Sequence, residues 1–64
     1  MDIMAIRLRT LREKMGMPRA KLAKEIGVTQ ASVNRYETAR VTPPAEVLLF
    51  YADRFDVSLD YIFG

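Results

Sequence analysis

Residues 19–38 read Arg19-Ala20-Lys21-Leu22-Ala23-Lys24-Glu25-Ile26-Gly27-Val28-Thr29-Gln30-Ala31-Ser32-Val33-Asn34-Arg35-Tyr36-Glu37-Thr38. Two short apolar patterns lie here, joined by Gly27-Val28-Thr29 alone. In the first, Leu22 and Ile26 form an i, i+4 pair with Ala23 beside them. Pro18 stands just ahead of it, where a missing N–H does no harm. Gly27 ends it with a residue that tolerates positive φ. Thr29 then suits an N-cap, because its hydroxyl accepts from an orphan N–H of the next first turn. Val33 and Tyr36 give the second pattern an i, i+3 apolar edge. The spacing predicts helices over 19–26 and 30–37.

Helices on so short a link must cross steeply, which is the helix-turn-helix geometry. That geometry needs a small residue where the helices approach, and Ala23 supplies it. It needs apolar residues in the angle between them, and Leu22, Ile26, Val28, Val33 and Tyr36 supply those. A generic helical hairpin with the same core is the competing reading. Agreement among independent local rules favours helix-turn-helix, placed at about 19–38.

Outward from this stretch, residues 3–15 carry Met4, Leu8, Leu11 and Met15 at helical spacing. Gly16 suits the left-handed position after that helix. Arg12 lies on the flank of the stripe, and Ile6 projects opposite with no core role. Residues 44–55 place Ala45, Leu48, Leu49, Ala52 and Phe55 on one expected face, with Val47 and Phe50 off it. Residues 58–63 read as a short helix capped by Ser58, with Asp60 in its first turn, where negative charge is favoured. The expected fold is all-α, five helices in a single domain over 1–64.

Composition narrows the chemistry. A chain of 64 residues allows one domain, and such a domain hides about 60% of its unfolded surface. With no Cys and no His, disulfides, Cys/His zinc sites, thiolate nucleophiles and imidazole bases are excluded. Hydrophobic residues make up 50%, enough for a core without staples. Ser32, Ser58 and scattered carboxylates form no nucleophile–base pair, and no Gly-rich phosphate loop is present, so the expectation is not an enzyme. No cofactor, metal or small-molecule ligand is expected. The longest apolar run, 47–52, is far short of a membrane span, and no signal peptide is visible; the expected location is cytoplasmic.

Charge is polarised along the chain. Residues 1–40 sum to +5 and residues 41–64 to −3. This suggests a polyanion partner for the first part, against the plainer reading of solvated helix faces.

The sequence resembles the helix-turn-helix domains of phage Cro and repressor proteins and their bacterial relatives. The resemblance runs from Leu11-Arg12-Glu13 through Leu22-Ala23, Ile26-Gly27-Val28, Val33 and Arg35-Tyr36-Glu37. It continues to Ala52-Asp53 and Val57-Ser58-Leu59-Asp60-Tyr61. It implies five helices, a third helix that reads DNA, and dimers on near-palindromic operators. It also implies a partly buried salt bridge between Arg12 and Glu37. The chain departs from the family pattern at three places. Pro18 replaces a frequent Ser or Thr cap, Arg19 stands where many members have Gln, and Thr38-Ala39 stands where Asn-Gly is common. If the loop keeps positive φ at Ala39, the cost is about 1 kcal/mol relative to Gly.

The roles follow from docking geometry. Residues at the start of a reading helix face base edges. Gln30 and Asn34 can pair with adenine, and Ala31 can touch a thymine methyl; a solvated polar face is the alternative. Ser32 reads equally as a base contact, a phosphate contact or a solvated residue, and Arg35 can hold a guanine. The resemblance implies a phosphate contact for Arg19 at the start of the second helix, and Thr29 and Arg40 are further phosphate candidates, whereas Lys21 and Lys24 read as solvated charges. Val47, Phe50, Ile62 and Phe63 are candidate dimer contacts, with core closure over the first helix as the alternative for Ile62 and Phe63.

The leading reading is a sequence-specific regulator of transcription, a repressor, bound to double-stranded DNA as a homodimer. Alternatives are an antitoxin or restriction-modification controller of the same fold, or a protein-interaction module that has lost DNA binding.

Overall fold

The helix boundaries are set by residues whose backbone chemistry matches their position. The computed structural model describes residues 2–64, and Met1 lies outside them. Helix α1 (Ile3–Lys14) begins at Asp2, whose carboxylate accepts from the Ala5 N–H at 3.0 Å. Helix α2 (Arg19–Ile26) starts after Pro18 and stops at Gly27, which has φ +90. Helix α3 (Gln30–Glu37) is capped by Thr29, which accepts from the Ser32 N–H at 3.0 Å. Helix α4 (Ala45–Arg54) starts after Pro44, and α5 (Leu59–Phe63) is capped by the Ser58 hydroxyl. The described residues contain no strand, so the fold is all-α with five helices.

The helices enclose one apolar cluster. Leu8, Leu22, Val33, Tyr51 and Ile62 are its largest fully buried side chains, one from each helix. Ala23 is buried at the α2–α3 crossing, where a larger side chain would hold the helices apart. An added Cβ at Gly27 would meet nothing within 4 Å. Glycine is required there by the left-handed backbone and not by space.

Three expectations about packing are corrected. Met15 was expected in the α1 stripe but is 56% exposed, while Met17 is buried. The helix ends at Lys14, and Gly16, at φ +62, turns the chain back on itself. The Met17 N–H donates to the Arg12 carbonyl at 3.2 Å, which brings the Met17 side chain under α1. The buried face of α4 is Val47, Leu48 and Tyr51; Ala45 and Leu49 face outward. Residues 47–52 of α4 are all apolar, so packing against the other helices, and not periodicity, selects the face. Ile62 and Val47 are buried within the chain, so neither has surface to offer as a dimer contact. Phe63 remains exposed, and Ile6 is exposed as expected.

The loop after α3 keeps its left-handed path despite lacking glycine. Ala39 has φ +61, and the Arg40 N–H reaches back to the Arg35 carbonyl at 3.0 Å. This is the six-to-one bond of a Schellman turn, which satisfies a carbonyl at the helix end. Asp56, after α4, is the other non-glycine residue at positive φ. At the opposite end, the Arg7 Nη1 donates to the Tyr61 carbonyl, and its guanidinium lies 4.8 Å from the Tyr61 ring centroid. These contacts tie α5 to α1.

Candidate nucleic-acid interface

Helix α3 is fixed at both ends and along its inner side. At its start, the Thr29 hydroxyl is used twice: it accepts from the Ser32 N–H and donates to the Ser32 hydroxyl, each at 3.0 Å. Along the inner side, Val33 and Tyr36 are buried in the core. At its end, the Glu37 carboxylate is held by charge-assisted hydrogen bonds. Oε2 accepts from Arg12 Nε at 2.7 Å, and Oε1 accepts from Arg12 Nη2 at 3.1 Å. Arg12 also donates from Nη1 to the Met17 carbonyl at 2.8 Å. One guanidinium therefore joins α1, the turn at Met17 and the end of α3. The hydrogen bond to Glu37 holds the Arg12 pKa above the usual arginine value, against the opposing effect of burial. The pair is structural, since both side chains are enclosed and every nitrogen of Arg12 is engaged.

The sequence reading missed a third member of this cluster. Arg19, at the first position of α2, donates from Nε to Glu37 Oε1 at 3.0 Å. Its side chain keeps 32% exposure, and Glu37 has none. Eighteen residues separate the two positions, and no periodicity links the start of one helix to the end of the next. The expected phosphate candidate is thus also an internal ligand. Tyr51 of α4 lies beside this cluster, buried, and its hydroxyl has no hydrogen-bond partner. Burial, then the nearby charge of Glu37, pushes its pKa well above the ordinary tyrosine value.

The outer side of α3 differs from the inner side. Gln30, Ala31, Asn34 and Arg35 are exposed, and the side chains of Gln30, Asn34 and Arg35 take part in no hydrogen bond within the described residues. Ser32 is half-buried and bonded to Thr29, which reduces its freedom to reach outward. The Thr29 hydroxyl is likewise committed to the cap. Arg40 is exposed beyond the end of α3. Lys21 and Lys24 are exposed on α2.

A helix-turn-helix family model matches residues 8–62, from within α1 to within α5. The chain belongs to the helix-turn-helix family. It is 40% identical over 58 residues to the uncharacterized HTH-type transcriptional regulator YobD of Bacillus subtilis, covering 91% of this chain and 52% of that protein. It is 33% identical over 58 residues to the cryptic phage CTXphi transcriptional repressor RstR of Vibrio cholerae, again covering 91% of this chain and 52% of the relative. The chain therefore spans about half the length of the curated relatives it matches. Among solved structures it is similar to the P22 c2 repressor protein in complex with synthetic operator 9T. The TM-score is 0.89 at 28% identity, covering 100% of this chain and 97% of the repressor chain. The helix-turn-helix of this chain is α2, the Gly27-Val28-Thr29 link and α3.

Proposed function

We propose that this chain is a sequence-specific regulator of transcription, a repressor, which binds double-stranded DNA as a homodimer and reads the major groove with α3. One observation carries the reading: the exposed face of α3 offers unused amide and guanidinium donors on a helix pinned at both ends. The framework around it is similar to that of a repressor solved on its operator. Gln30 and Asn34 have the amides that pair with adenine, Ala31 the methyl that meets thymine, and Arg35 the fork that fits guanine. Arg19 and Arg40 are the cationic phosphate contacts. Thr29 and Ser32 contribute less, because their hydroxyls serve the cap.

Two subunits place their reading helices about 34 Å apart, one turn of DNA. The operator is accordingly near-palindromic. Phe63 and the half-buried Phe50 are the proposed dimer contacts. The protein acts in the cytoplasm with the DNA it regulates, as one domain over 1–64. It is not an enzyme, and it needs no metal, cofactor or small-molecule ligand. No described helix is long and apolar enough to cross a membrane.

Selection of binding sites from random duplex DNA, followed by a salt series, tests this. The expected result is two half-sites one turn apart and, for about eight neutralised phosphates, a log–log salt slope near −7. Gln30→Ala is expected to relax preference at one base position by about 1–3 kcal/mol. A flat salt response, or silent Arg19→Ala and Gln30→Ala variants, overturns the reading.

A further inference from the structure

The Glu37 carboxylate has more partners than a bridge between α1 and α3 requires. Arg12 alone occupies both its oxygens, with Nε at 2.7 Å and Nη2 at 3.1 Å. Arg19 adds a third donor through Nε at 3.0 Å. The cluster thus carries two guanidinium charges against one fully enclosed carboxylate. A second, partly solvated cation adds little to a bridge that Arg12 already completes. The two guanidiniums are also used differently. Arg12 is buried and spends Nε and both terminal nitrogens inside the protein. Arg19 spends Nε only, and its terminal nitrogens make no hydrogen bond among the described residues. A guanidinium is planar, so fixing Nε fixes the plane in which its other donors lie.

We infer that Glu37 is a positioning residue for Arg19, holding its guanidinium by Nε so that the terminal nitrogens meet a DNA phosphate oxygen. This rests on the DNA-binding reading above and goes one step further. The buried carboxylate then serves both sides of the protein. It anchors the end of the reading helix, and it presets the first cation of α2. Arginine is suited to this place because one side chain must offer two separate hydrogen-bonding edges. Lysine has a single ammonium, and glutamine has no charge. A preset guanidinium also loses little side-chain freedom when the phosphate arrives.

The test is a double-mutant cycle on a fluorescent mixed-sequence duplex of about two helical turns, since a phosphate contact is independent of sequence. Arg19→Gln is measured in the parent and in a background where Arg12→Met and Glu37→Met replace the buried pair by apolar side chains. Exchanges of this kind are often tolerated. Arg19→Gln is expected to weaken binding about tenfold in the parent, but no more than about twofold in the pair-free background. Equal losses in the two backgrounds, or no loss in the parent, overturn the inference while leaving DNA binding intact. Failure of the parent to bind duplex DNA defeats the DNA-binding reading, and the inference with it.

If the pair-free background does not fold, arginine side-chain NMR of the parent decides. The Arg19 Nε–H is expected to resist exchange in the free protein as Arg12 does, and DNA is expected to shift the Arg19 terminal N–H signals while its Nε signal stays. Exchange of the Arg19 Nε–H as fast as that of exposed Arg40, or DNA-induced shifts confined to Nε, overturns the inference.

Discussion

Two regions of this protein bury a polar group at similar depth and treat it in opposite ways. Where α1, α2 and α3 meet, the Glu37 carboxylate is enclosed and receives three guanidinium hydrogen bonds. Beneath α4, the Tyr51 side chain is enclosed too, and its hydroxyl receives none. The first group is held in place by what it binds; the second is carried inside by the ring that bears it. Burial alone therefore says little about the importance of a polar atom. What matters is what its partners lose when it is removed.

Breaking the ion cluster is the strongest test of this contrast. Glu37→Ala leaves two guanidiniums beside the core without their carboxylate. It is expected to cost about 3–5 kcal/mol, read by urea unfolding followed by circular dichroism. Removing both charges together, as Arg12→Met with Glu37→Met, is expected to be near neutral in the same assay. A large loss from the paired exchange would mean that the cluster holds the helices by more than charge.

The two regions also share a feature, which gives the next test. Each closes a helix with a non-glycine residue at positive φ, Ala39 after α3 and Asp56 after α4. Alanine has no local hydrogen bond to offset its crowded Cβ, whereas aspartate visits this region more readily. Ala39→Gly is expected to raise stability by about 1 kcal/mol. Asp56→Gly is expected to gain less than half of that, about 0.4 kcal/mol or below. Thermal melts of the two variants compare the joints directly.

The smallest expected effect lies at Tyr51. Tyr51→Phe removes a hydroxyl with no partner, so at neutral pH stability is expected to stay within about 0.5 kcal/mol or to rise. The difference emerges in alkali. Burial, and then Glu37, raises the folded-state pKa of this phenol above its ordinary value of 10.0. The folded state therefore keeps a proton that the unfolded chain releases first. The contribution is complete below pH 10 and is lost as pH climbs toward the folded value. Melting temperatures measured above pH 10 are expected to fall less steeply in the phenylalanine variant. Parallel alkaline limbs would mean that the Tyr51 phenol releases its proton as readily in the folded protein as in the unfolded chain, and that burial does not hold it.

Local chemistry made the helix-turn-helix legible in the sequence. Gly27 and Thr29 each satisfy a backbone rule that operates within a few residues, and the helix limits of α2 and α3 follow from them. Met15 misled because its spacing continues the α1 stripe through a helix end that Gly16 then reverses. The face of α4 was not legible, because Val47, Leu48, Leu49, Phe50 and Tyr51 run together without a polar interruption. The exposed residues of α3 could be read as a surface from the apolar edge they leave over. The Arg12–Glu37 pair came from family resemblance, not from spacing. The Arg19–Glu37 contact joins positions that only the tertiary fold brings together, so no local pattern announced it.

The double anchorage of α3, Thr29 at one end and Glu37 at the other, has a thermodynamic consequence. In the DNA-reading role proposed for α3, an element that is already ordered before it meets its target adds little folding to the binding reaction. The heat-capacity change on binding should then report the apolar surface covered at contact, free of the large extra term that a helix forming on its target would add. Calorimetry over a range of temperatures would thus measure the footprint itself.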